Sequence, residues 1–237
     1  MSFQDKMAVV AGGTGALGRA ASLAFLQAGA TVVATYRRQE EYDALAAAAG
    51  SAAKKLSGAT LDVTDEAAAL AFASEVAAKH GRLDILVNAV GGYAGGKNLW
   101  ETDAKTYQQM MALNLKSGYA LARAILPVMI RQDRGWVVNI ASKAAYGRSP
   151  GAALYSASKA AALALFDSLA EEVKPYNINV NSIVPSIFDT PANRQAMPKA
   201  DFSRWPKPEE IARVILFLCS EEARLIHGAA VPVYGRT

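Results

Sequence analysis

Met7-Ala8-Val9-Val10-Ala11-Gly12-Gly13-Thr14-Gly15-Ala16-Leu17-Gly18 is the stretch from which the rest of this chain is best read. An apolar run gives way to a cluster of glycines, and Ala16 then opens an Ala/Leu-rich segment. A strand that turns on glycine into a helix leaves the helix's unpaired N–H groups, and the positive end of its dipole, at the turn. Backbone lacking Cβ atoms lets a diphosphate come close to those groups. Gly13-x-Gly15-x-x-Gly18 fits the general dinucleotide-binding fingerprint, a pattern that is weak when it stands alone. Here the strand before it, the helix after it and a second strand-like run at Thr31–Tyr36 supply the context it needs. An ordinary glycine-rich turn between strand and helix is the plainer alternative.

Outward from this turn, short β-branched runs alternate with long Ala/Leu-rich segments, the pattern of a parallel sheet covered on both faces. The strands are expected at Met7–Ala11, Thr31–Tyr36, Thr60–Val63, Leu83–Ala89, Trp136–Ala141, Asn179–Val184 and Ala229–Tyr234. Helices are expected near 16–28, 39–49, 65–79, 103–131, 152–174 and 207–220. Gly29 and Gly81 stand where C-cap glycines belong, and Pro206 and Pro208 where the last helix starts. With no repeat, linker or composition break in 237 residues, the expectation is one α/β domain over 1–237, doubly wound on a seven-stranded parallel sheet.

Composition narrows the function. At 52% hydrophobic and 19% charged the chain is not disordered, and no apolar run approaches a membrane span. The first strand starts too early to leave room for a signal peptide, and one cysteine, Cys219, excludes an internal disulfide, so a soluble cytoplasmic protein is expected. The net charge of +4 is scattered without a basic stripe and interleaved aromatics, so no nucleic-acid partner is expected. His80 and His227 lack metal-ligand neighbours in the sequence, and no metal site is expected.

The end of the second strand bears on the nucleotide. Thr35-Tyr36-Arg37-Arg38 offers no acid to accept the ribose 2′-hydroxyl of NAD, and two guanidinium groups that suit a 2′-phosphate. NADP(H) is therefore expected over NAD(H), unless the arginines are merely a solvated helix entry. Tyr155-x-x-x-Lys159 lies in a segment that reads as a long helix, which puts both side chains on one face. An ammonium beside a phenol favours the phenolate, and a Tyr so tuned exchanges a proton with a substrate near neutral pH. Tyr93-x-x-x-Lys97 has the same spacing but sits among glycines, where no helix aligns the pair.

With these motifs in hand the chain resembles the short-chain dehydrogenase/reductase family over essentially its whole length. Ser142 stands thirteen residues before Tyr155, Asn114 lies in Leu113-Asn114-Leu115, and Asn88-Ala89-Val90-Gly91 is similar to the family's Asn-Asn-Ala-Gly. The resemblance implies a Rossmann fold and a catalytic tetrad of Asn114, Ser142, Tyr155 and Lys159. It implies cofactor contacts from Gly12, Thr14, Gly15, Ala16, Leu17 and Gly18 in the first turn, from Tyr36, Arg37 and Arg38, and from Asp62 and Val63 at the adenine. Further contacts are implied for Asn88, Ala89, Val90, Tyr155, Lys159, Pro185, Ile187 and Thr190, the last near the carboxamide. Lys159 would bridge the nicotinamide ribose hydroxyls and depress the pKa of Tyr155, while Asn114 would hold a water in the proton path. A homotetramer, or at least a homodimer, is implied, built on helices 103–131 and 152–174.

Two departures stand out. Ala11 and Ala16 replace a Thr and a Gly of the family's first turn, and Pro185-Ser186 stands where Pro-Gly is usual. The stretches 12–18, Gly91–Gly96, Asp189–Arg194 and Met197–Trp205 also resemble dihydropteridine reductase, although that enzyme has an acid at the end of strand two and lacks the Ser. The implied function is NADPH-dependent hydride transfer to a carbonyl or imine of a small molecule, with a pterin reductase and a 3-oxoacyl-type reductase as alternatives. The segment of about 186–206 would face the substrate. Its Phe188, Met197, Phe202 and Trp205 suit an apolar lid or the satellite core of a long loop. A non-catalytic NADP(H) sensor is the competing class, one that loss of Tyr155 or Lys159 would have marked.

Overall fold

The computed structural model describes residues 1–147 and 149–237. In chain order it forms β1 (Met7–Ala11), α1 (Ala16–Gln27), β2 (Thr31–Tyr36), α2 (Gln39–Ala49), β3 (Leu56–Thr60), α3 (Glu66–His80) and β4 (Ile85–Asn88). There follow α4 (Ala104–Met111), α5 (Ser117–Gln132), β5 (Gly135–Ile140), α6 (Ala153–Val173), β6 (Ile178–Pro185), α7 (Pro191–Ala196), α8 (Pro208–Leu218) and β7 (Ala230–Val233). All strand pairings are parallel, in the order β3-β2-β1-β4-β5-β6-β7.

Alternation along the strands sends side chains to two cores. Met7 and Val9 of β1 point to one face, where Leu86, Ile125, Met129 and Phe166 pack beneath α3, α5 and α6. Ala8 and Val10 point to the other, where Phe25, Ile85, Val138, Ile183 and Ile215 pack beneath α1 and α8. Because both faces are covered, β1 and β4 are buried throughout and apolar up to Asn88 at the end of β4. Strand order reverses at β1, which pairs with both β2 and β4, so a crevice opens beyond their carboxyl ends.

Three elements differ from the sequence expectation. The third strand is Leu56–Thr60, not Thr60–Val63: its register runs from Val32↔Leu56 to Tyr36↔Thr60, and Asp62 and Val63 lie beyond its end. This edge strand reads Leu-Ser-Gly-Ala-Thr, with too little apolar patterning to announce itself, and Gly58 leaves room for the Tyr36 and Tyr42 rings stacked at 4.8 Å. The expected helix 103–131 is broken by a π-helical turn at Ala112–Lys116. Within 186–206 a short helix, α7, forms because Thr190 accepts the Asn193 N–H at 3.1 Å and Pro191 sits at its first turn. Pro208 opens the last helix with Lys207 as its N-cap, so Pro206 precedes it. Gly81 closes α3 in the left-handed conformation, as expected. Among the described residues no helix is long and apolar enough to cross a membrane.

Candidate active site

The turn from β1 into α1 forms the crevice floor. Gly12 adopts φ +68°, and its N–H is held by the Thr35 hydroxyl at 2.9 Å, which ties the turn to β2. A Cβ on Gly18 would stand 2.1 Å from the Gly12 carbonyl oxygen, so only glycine lets α1 start this close to the turn. Gly15, by contrast, has only that carbonyl near its missing Cβ, at 3.4 Å, and it lines the crevice. The backbone there can be approached by a diphosphate.

One end of the crevice is bounded by Thr14, Tyr36, Arg37, Asp62 and Val63. Asp62 is folded into its own turn, accepting from the Thr64 N–H at 2.9 Å and hydroxyl at 2.7 Å, and these bonds hold its carboxyl below the usual range. Arg37 lines this end, and among the described residues no hydrogen bond or ion pair engages its guanidinium. Arg38 is instead bonded to Glu41, which joins the lining. The expectation that no acid stands here is thereby corrected: Glu41 comes from the first turn of α2, one helical turn past Arg38, rather than from the strand end.

Ala89, Val90 and Gly91 run along the middle and lead to the other end, where Ala16, Leu17, Ser142, Tyr155, Lys159 and Pro185 meet. Tyr155 and Lys159 share a face of α6, and Ser142 follows β5 by two residues. Ser142 acts to lower the Tyr155 pKa, and its hydroxyl accepts the Ala144 N–H at 3.2 Å. Burial nevertheless raises the Tyr155 pKa above its ordinary value. Lys159 donates to the Ile140 carbonyl at 2.8 Å, and burial lowers its own pKa to about 8. The lowering of the Tyr155 pKa by Lys159 is therefore not what this arrangement produces: burial dominates the phenol, and the ammonium is directed at a backbone carbonyl.

The remaining expected residues sit behind this lining. Asn114, at the centre of the π-helical turn, accepts the Gly92 N–H at 2.9 Å, donates to the Gly92 carbonyl at 3.0 Å and donates to Ser158 at 3.0 Å. Its amide is spent on shaping the loop after β4, and no side-chain donor is left over for a water. Asn88 is buried against Asn139, at 3.2 Å, with its Oδ1 unpartnered among the described residues. Ile187 does not reach the crevice lining, and Thr190 uses its hydroxyl to cap α7. Of the segment 186–206, Phe188 and Ser186 line the crevice, Trp205 is buried with the Phe202 ring tilted against it at a centroid distance of 4.9 Å, and Met197 is exposed. Tyr93, unaligned with Lys97 as expected, lies edge-on to Tyr155 with ring centroids 5.0 Å apart and is 68% exposed.

A family model described as short chain dehydrogenase matches residues 6–201. This chain belongs to the short-chain dehydrogenase/reductase family. It is 31% identical over 243 residues to 3-oxoacyl-[acyl-carrier-protein] reductase of Thermotoga maritima, covering 99% of this chain and 98% of that one. It is 30% identical to meso-2,3-butanediol dehydrogenase of Serratia marcescens, covering 99% and 95%. Among solved structures, a short-chain dehydrogenase/reductase from Burkholderia xenovorans superposes with a TM-score of 0.92 at 31% identity over 98% of this chain and 96% of that one. ElxO with NADP bound superposes at 0.91 with 26% identity, covering 97% of each chain. As a family member the chain is an oxidoreductase built to bind a nicotinamide cofactor, and the glycine turn and crevice fit one. Glu41 lies outside the strand-end motif, and its spacing of three from Arg38 is the signal for it that the sequence carries.

Proposed function

We propose that this chain is an NADPH-dependent reductase of a carbonyl or imine carbon in a small molecule. The observation that carries this is the meeting of Ser142, Tyr155 and Lys159 at one end of a crevice whose other end presents Arg37 beside a glycine turn. Backbone N–H groups of the turn and of the α1 N-terminus would hold the diphosphate, Arg37 the 2′-phosphate and Lys159 the nicotinamide ribose. When bound, the dihydronicotinamide supplies the hydride that reduces the substrate carbon.

Tyr155, kept protonated by its burial, gives its proton to the substrate oxygen or nitrogen as charge develops there. Ser142 hydrogen-bonds the same atom and holds it in line. Ser142, which works against burial to lower the Tyr155 pKa, favours the phenolate left behind. Asn114 acts as a positioning residue, pinning Gly92 and Ser158 and so the wall of the site. An active Tyr–Lys pair is of no use to a sensor, which favours the enzyme over the non-catalytic reading.

A pterin-like substrate is the second reading, favoured by Tyr93, whose ring edge meets Tyr155 and offers a wall to a flat heterocycle. The relative named as a 3-oxoacyl reductase favours an acyl substrate instead. Loss of NADPH absorbance with a quinonoid dihydropterin and a short 3-oxoacyl thioester, each repeated with NADH, separates them. NADPH consumption with one of the two, faster than NADH, is expected. NADPH that binds but is consumed with neither substrate contradicts the carbonyl or imine reading for both classes.

A further inference from the structure

The glycine turn and the start of α2 are joined by one carboxylate. Glu41 accepts from the Arg38 Nε at 2.9 Å through Oε1, which the Arg38 Nη2 also meets, and from the Thr14 hydroxyl at 3.0 Å through Oε2. Thr14 belongs to the turn expected to hold the diphosphate, and Arg37 lines the same end of the crevice. The charged groups at this end are therefore Arg37, the paired Arg38 and Glu41, and Asp62, whose Oδ1 accepts from the Thr64 N–H and hydroxyl.

We propose that Glu41 is a cofactor-discriminating residue of this site, weakening the hold on a 2′-phosphate while leaving a free 2′-hydroxyl accepted. This deepens the NADP(H) reading given above and rests on it. The reasoning is electrostatic and geometric. A guanidinium fork clasps either a carboxylate or a phosphate, and in this structure the Arg38 fork is on Glu41, so a phosphate finds only Arg37 unoccupied. An ionised carboxylate facing the same space repels a dianion. A ribose hydroxyl meets no such penalty, because a carboxylate offers several acceptor sites and Glu41 retains lone pairs beyond its two partners. The bonds from Arg38 and Thr14 hold the Glu41 carboxyl below the usual range, which keeps it charged at neutral pH. Glu40, its exposed neighbour, does not line the crevice, and the other lining carboxylate, Asp62, is turned to the Thr64 N–H at 2.9 Å and hydroxyl at 2.7 Å.

A purely structural role predicts something different. If Glu41 only ties α2 to the turn through Thr14, its loss disturbs every nucleotide equally. Glu41→Gln keeps the size and an acceptor for Thr14, removes the charge and releases Arg38. Dissociation constants of NADPH and NADH, measured by quenching of the protein's tryptophan fluorescence in wild type and variant, distinguish the cases, and the NADH value on the same preparation reports that the variant is folded. The proposal predicts that E41Q tightens NADPH by about tenfold, the scale of one charge a few ångströms from a dianion in a partly exposed site, with NADH unchanged or weaker. An unchanged NADH/NADPH ratio, whether both constants hold or both rise together, overturns it. The wild-type ratio tests the parent reading separately: a wild type that prefers NADH overturns the NADP(H) assignment, while the shift on E41Q still decides the role of Glu41.

Discussion

The Lys159 Nζ rests on the Ile140 carbonyl at 2.8 Å in a nearly solvent-free position, and its pKa there is lowered from 10.5 to about 8 by burial. Between those two values the unfolded chain holds a proton that the folded chain has released, so folding is penalised by the full amount below pH 8 and the penalty fades as pH rises towards 10.5. Lys159→Met, which keeps the stem and drops the charge, is therefore expected to stabilise the free protein at neutral pH by up to about 3 kcal/mol, less the lost Ile140 bond, and to lose that advantage near pH 10. Denaturant unfolding at both pH values checks this, and a variant less stable at both contradicts it. A lysine that costs stability where it stands is explained by chemistry rather than packing. Tyr155 and Lys159 were legible in the sequence because a helix converts a spacing of four into a shared face, whereas Ser142 was reached only through the family resemblance. Glu41 was not, since it reaches the crevice from the next helix and through an ion pair, and neither is written in the strand-end motif.

At the scale of elements, the inner strands were legible because burial on both faces makes them largely apolar runs. β3 was not, being an edge strand whose apolar residues are sparse and whose place is fixed by pairing with β2. The π-helical turn at Ala112–Lys116 was hidden as well, because it preserves the apolar pattern of the helix it interrupts while turning Asn114 inward onto Gly92 and Ser158. The α5 and α6 faces turned away from the sheet carry Tyr119, Ala153, Ala157 and Ala164 exposed to solvent, a surface suited to close helix approach between copies. A homotetramer or homodimer is proposed on these helices. Light scattering at micromolar concentration is expected to give a multiple of the 25.0 kDa chain mass, and a monomer would count against it.

Across the whole molecule, the doubly wound sheet reverses its order at β1 and so places a single crevice where the glycine turn, Arg37 and the Ser142–Tyr155–Lys159 group share one space. That juxtaposition was legible in outline from the alternation of strands and helices. The substrate side was less so, because 186–206 contains α7, a buried Trp205 and an exposed Met197 whose separate fates no periodicity announces. Tyr155 is proposed to pass the proton in a reduction driven by NADPH. This role is tested most directly by comparing wild type with Tyr155→Phe for both NADPH affinity and NADPH-dependent turnover of the substrate found active. Turnover is expected to fall about a hundredfold or more with NADPH affinity held within about threefold, as when a general acid is removed from an otherwise intact site. Turnover at the wild-type rate in the variant would contradict that role.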